Sequence, residues 1–122
     1  MKLFLLSLGL AVVLKAVSEP LPATDVVTSL QVSPLVQAAP GKVLYTIRIT
    51  PHRDNIWFCY GWDNIDTADG KTSCQQLNGI YSPRIFQQEY KWLKSGHYVG
   101  FVRVYRAPSY IAGTAPLQFI VD

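Results

Sequence analysis

Over residues 42–50 large apolar side chains return at every second position, and this rhythm constrains the fold more than any other feature of the chain. Val43, Tyr45, Ile47 and Ile49 share one side and Lys42, Thr46, Arg48 and Thr50 the other, the pattern of a half-buried strand. Pro40-Gly41 and Pro51-His52 punctuate its ends. Period-two patterning predicts further strands over 26–32, 55–62, 72–77, 84–93, 97–106 and 117–121, separated by turn signals such as Asp69-Gly70 and Asn78-Gly79. In 55–62, Ile56, Phe58, Tyr60 and Trp62 oppose Trp57, Cys59 and Gly61. In 84–93, Phe86, Gln88, Tyr90 and Trp92 oppose Ile85, Gln87, Glu89 and Lys91. Beyond the N-terminus no segment carries a 3.6-residue apolar stripe, so the expected class is all-β.

The N-terminus reads differently. Lys2, the apolar run from Leu3 to Leu14 and the small residues of Ala16-Val17-Ser18 have the layout of a cleavable secretory signal peptide over 1–18. Twelve apolar residues are too few to span a bilayer, which takes roughly 20, so no membrane span is expected after cleavage. Residues 19–25 read as an extended, proline-containing lead. Residues 26–122 form one domain, placed outside the cell or in a periplasm.

In an oxidising compartment the chain's two cysteines, Cys59 and Cys74, are expected to bond to each other. Their spacing matches no CxxC metal or redox motif. Without Lys2 and Lys15 the mature chain keeps nine basic against eight acidic residues, so its formal charge falls from +3 to +1. A surface so nearly neutral lacks the cation cluster that nucleic acid requires, and that partner is set aside.

About seven strands in roughly 100 residues fit a two-sheet antiparallel sandwich. The string Leu93-Lys-Ser-Gly96-His-Tyr98, leading into 99–105, resembles the tyrosine corner of immunoglobulin-like and fibronectin III-like domains. The resemblance implies that Tyr98 faces inward and bonds back to the backbone of the corner, with Gly100, Val102 and Val104 inward after it. It reaches only the fold, because the inter-sheet cysteine pair of antibody domains is missing. A jelly roll or small barrel is the other arrangement this pattern allows.

Chemistry is sparse. There is no G-x-S-x-G, and His52 and His97 fall at strand ends, so a small secreted hydrolase or accessory domain using them with the 63–69 loop is a minor alternative. Asp63, Asn64, Asp66 and Asp69 gather oxygen ligands in one loop but lack EF-hand spacing, so no metal and no cofactor is expected.

The aromatic residues carry more. If Tyr98 points inward, Phe101, Arg103 and Tyr105 point outward, and Trp57 joins them from the neighbouring strand. Trp, Tyr and Arg anchor protein interfaces. Cys59 shares that face, however, so the 63–77 excursion is expected to cross and roof it. The expectation is a secreted, non-enzymatic immunoglobulin-like binding module that recognises a protein or glycan through a sheet face or its loops. In the alternative of a carbohydrate-binding module, Trp57 and Tyr105 would be the stacking surfaces.

Overall fold

Residues 26–81 and 83–122 are described by a computed structural model, so the signal peptide expected over 1–18 and the lead expected over 19–25 lie outside the described residues. Among the described residues eight strands follow one another: β1 (Thr28–Ser33), β2 (Val36–Gln37), β3 (Gly41–Ile49), β4 (Asn55–Asn64), β5 (Gly70–Gln76), β6 (Ile85–Leu93), β7 (Gly96–Arg106) and β8 (Tyr110–Val121). They form a three-stranded sheet, β1-β3-β6, and a five-stranded sheet, β2-β8-β7-β4-β5. This is an immunoglobulin-like sandwich. Among the described residues no helix is long and apolar enough to cross a membrane.

The alternation of residues 42–50 is realised as burial. Val43, Tyr45, Ile47 and Ile49 are buried on β3, while Lys42, Leu44 and Arg48 face solvent. From the opposing sheet, Phe58, Tyr60, Val102, Val104 and Phe119 close the core.

Tyr45 sits at its centre. Its hydroxyl donates a 2.8 Å hydrogen bond across the sandwich to the Gly61 carbonyl on β4. A phenol removed from water needs such an acceptor. Burial holds its proton well above the ordinary phenol range. Gly100 on β7 leaves the space, since a Cβ there would lie 2.5 Å from the Tyr45 hydroxyl. The Tyr90 ring meets Tyr45 edge-on at 5.0 Å, a favoured aromatic geometry.

The tyrosine corner forms as the resemblance implied. Tyr98 is buried and its hydroxyl donates to the Lys94 carbonyl at 2.7 Å. Nearby, the β4–β5 turn is tied to the start of β7. Asn64 Oδ1 accepts from the backbone N–H groups of Asp66 and Thr67, and Asp66 Oδ2 accepts from the backbone N–H of His97. The His97 ring nitrogen Nδ1 lies 2.8 Å from the same carboxylate oxygen.

Three features differ from the sequence expectation. β2 is an additional short strand, parallel to the end of β8. β8 begins at Tyr110 instead of near Leu117. Its first half is Gly- and Ala-rich because Val27 packs there, and a Cβ on Gly113 would come 2.5 Å from the Val27 Cβ. Pro116 is tolerated within β8 because β2 pairs only as far back as Ile120, so the strand is an edge at Pro116. Finally, the register of β3 with β6 shifts between Gly41 and Val43, and this bulge turns Trp92 out of the alternating series. Trp92 has φ 63° and is exposed, while the next residue, Leu93, is buried in the core.

Two outcomes follow. Tyr45→Phe leaves the Gly61 carbonyl without its partner and is expected to cost about 1 kcal/mol in urea unfolding. Gly100→Ala forces the ring to move and is expected to cost more, about 1–3 kcal/mol; equal or smaller loss in Gly100→Ala would contradict the close approach. The hydrogen bonds from the His97 side chain and backbone lower the Asp66 carboxyl from its ordinary value. The folded state therefore releases that proton more readily, and the contribution is present above the ordinary carboxylate range and lost as pH falls through the lowered value. Asp66→Asn should be less stable than wild type at neutral pH, with the gap closing in acid. A gap independent of pH would contradict this reading.

Candidate functional site

The outer face of the five-stranded sheet is built by strand register. Trp57 on β4 pairs with Tyr105 on β7, and Tyr105 pairs with Ile111 on β8. Side chains at paired positions of adjacent strands stand on the same face, so three strands present one row of large apolar groups. The Trp57 and Tyr105 rings lie 5.7 Å apart with a tilt of 43°. Trp57 is 37% exposed, and Ile111 and the adjoining Tyr110 are each 50% exposed.

Two positions along the sheet, the row gives way to a covered segment. Phe101 is only 9% exposed. The Arg103 guanidinium lies over its ring at 4.5 Å, a cation–π arrangement. Arg103 Nε is buried there and has no hydrogen-bond partner among the described residues. Of the sequence-derived candidates, Trp57 and Tyr105 thus present side-chain surface, Arg103 is half-buried, and Phe101 lies largely beneath it.

The expected roof does not form. Cys59 and Cys74 are joined by a disulfide and face each other directly in the β4–β5 ladder, with Cα atoms 4.0 Å apart. A bridge between paired positions locks a hairpin. The 63–77 excursion therefore runs beside β4 and widens the sheet instead of crossing its face. Ile111, absent from the sequence-derived set, joins the row because β8 starts earlier than its apolar pattern signals. Tyr110, the residue before it, pairs with Arg106 and faces the other side of the sheet.

The residues of the hydrolase alternative are not assembled. His97 and Asp66 meet at the start of β7, but His52 lies near the opposite end, where Asn55 pairs with Arg106. Ten residues of extended strand separate these ends by roughly 30 Å. His52 instead accepts a hydrogen bond from the Asp54 backbone N–H. Among the described residues no three His, Cys, Asp or Glu side chains converge as a metal site would require.

Comparison with known proteins places the fold. No family model and no curated protein matches the chain. Among solved structures it is similar to the PKD domain of an M14-like peptidase from a Thermoplasmatales archaeon, at 17% identity and TM-score 0.57, over 78% of this chain and 92% of that one. It is similar to the superoxide reductase (neelaredoxin) of Ignicoccus hospitalis at 12% identity and TM-score 0.56, over 79% and 80% of the two chains. It also resembles part of a family 76 glycoside hydrolase from a bovine Bacteroides thetaiotaomicron strain, at 14% identity and TM-score 0.52, over 76% of this chain and 20% of that enzyme. At such identities the likeness concerns architecture alone, and architecture of this kind hosts unrelated activities. The chain has an immunoglobulin-like β-sandwich fold, shared with a PKD domain.

Proposed function

We propose that this protein is a secreted, non-enzymatic binding module that holds a protein partner against the outer face of its five-stranded sheet. The observation that carries this reading is the cross-strand row of Trp57, Tyr105 and Ile111. Arg103, two positions before Tyr105 on the same strand, flanks the row. Trp and Tyr lose little conformational entropy per unit of contact area, and Trp, Tyr and Arg are enriched among the residues that dominate the energetics of protein interfaces.

A protein suits this surface better than a sugar. The 43° tilt between the two rings makes a ridge, whereas a saccharide laid across both would need a common plane. Secretion is supported by the N-terminal pattern over 1–18 and by the Cys59–Cys74 disulfide, a bond that persists outside reducing compartments.

Trp57→Ala tests the reading. Removing the ring is expected to lower retention of extracellular proteins on the immobilised domain by about ten-fold or more, the scale of one interface anchor. The variant should still unfold cooperatively. Retention equal to wild type, alongside a lowered melting temperature, would assign Trp57 to packing and overturn the proposal.

A further inference from the structure

The two sheets part where β5 and β6 form their free edges. β6 bonds only to β3, and β5 only to β4. Between them lies a groove of about 540 Å³, floored in part by Trp62 and Tyr98. That volume falls in the range of roughly 300–1,000 Å³ typical of small-ligand sites.

Three features of this groove contribute nothing evident to folding. Trp92 stands on its β6 side, 79% exposed, with its backbone at φ 63°. That left-handed conformation suits glycine or asparagine, and a bulky residue held there is strained. The β3–β6 bulge spends this strain on presenting an indole to solvent, and an exposed indole returns no core packing.

Second, the groove-lining residues Trp62 and Tyr90 carry buried polar atoms, Nε1 and the phenol oxygen, that find no partner among the described residues. Tyr90 itself is only 6% exposed. Burial raises its phenol to about 12, so the hydroxyl keeps its proton and remains a neutral donor and acceptor. Buried polar groups left unpaired are uncommon and mark places where something is missing from the account.

Third, the lining carries Lys71, Lys91 and Lys94 against Asp69 and Glu89. Glu89 is already shared between Lys91 and Lys42, at 3.8 and 4.0 Å. Lys71 and Lys94 make no ion pair among the described residues and are left to attract a negative charge.

We propose that this groove binds a short, carboxylate-bearing oligosaccharide. One sugar face rests on the Trp92 indole, the carboxylate sits near Lys71 and Lys94, and ring oxygens and hydroxyls supply partners to the Trp62 and Tyr90 floor. An added peptide strand fits less well. The outer edge of β6 carries Glu89 and Lys91 and is broken by the bulge, features that discourage edge-to-edge pairing. This site is separate from the Trp57 row.

The test is titration of the full mature protein with tetragalacturonate and with hyaluronan tetrasaccharide, using maltotetraose as the neutral control, followed by tryptophan fluorescence and calorimetry. At least one acidic probe is expected to bind about ten-fold or more tightly than maltotetraose, with the preference shrinking as salt is raised. Trp92→Gly should weaken binding of that probe about ten-fold or more. Its melting temperature should equal or exceed that of wild type, because glycine accepts the backbone angle without strain. Lys71→Gln with Lys94→Gln should remove the preference for the acidic probe without lowering the melting temperature. Trp57→Ala should leave binding unchanged, so loss of the protein-docking face and loss of this groove are told apart. Failure of both acidic probes to bind, equal binding of maltotetraose, or full affinity in Trp92→Gly would overturn the proposal.

Discussion

A phenol that is buried and uncharged must still place its hydroxyl hydrogen on an oxygen, and for Tyr45 that oxygen belongs to Gly61 in the opposing sheet. Much else follows from this one bond. It fixes how closely β3 approaches β4, and it excludes any side chain at Gly100, where the ring edge passes. Tyr90 and Phe119 then pack edge-on around the same ring, at 5.0 and 6.3 Å. Tyr98 stacks on Phe119 at 5.0 Å and carries the order outward to the tyrosine corner. With these inward positions set, the period of two leaves no freedom in what faces out, because a slip of one residue would exchange every inner and outer side chain.

The outward consequences are two surfaces of different character. On the broad sheet, residues paired across β4, β7 and β8 converge into a ridge of rings beside a stretch where Arg103 shields Phe101. At the open side of the sandwich, where neither β5 nor β6 has a further neighbour, the gap between sheets becomes a polar and aromatic groove. The first surface exists because the disulfide joins strands side by side and leaves the face above them uncovered. The second lies where β5 and β6 end their separate sheets, and the bulge between β3 and β6 turns Trp92 outward beside it. The core is organised around Tyr45, and the two surfaces proposed for recognition are what that core leaves unburied.

Much of this was legible in the residues. The β3 alternation, the inward and outward assignment of β4 and β7, the Cys59–Cys74 pairing and the role of Tyr98 each rest on local pattern or spacing, and local signals survive folding. The parts that were not legible depend on tertiary contact. β2 is two residues long and exists only because the end of β8 lies alongside it. The first half of β8 carries small residues where period-two patterning would need large ones, and at Gly113 Val27, just before β1, fills the space a side chain would take. The outward turn of Trp92 had no glycine or asparagine to announce it, so simple alternation assigned the indole to the same side as Tyr90. Phe101 was placed on the correct face, but its burial depends on the conformation of Arg103, which no sequence period encodes.

The most direct measurement of the central constraint is a proton NMR spectrum of the protein assigned through its aromatic core. A buried Tyr45 hydroxyl bonded to Gly61 should give a slowly exchanging resonance, with cross-relaxation from that proton and the ring to the α-protons of Gly100. A Tyr45 hydroxyl that exchanges as fast as a solvent-exposed phenol, with no contact to Gly100, would contradict the packing from which both surfaces follow.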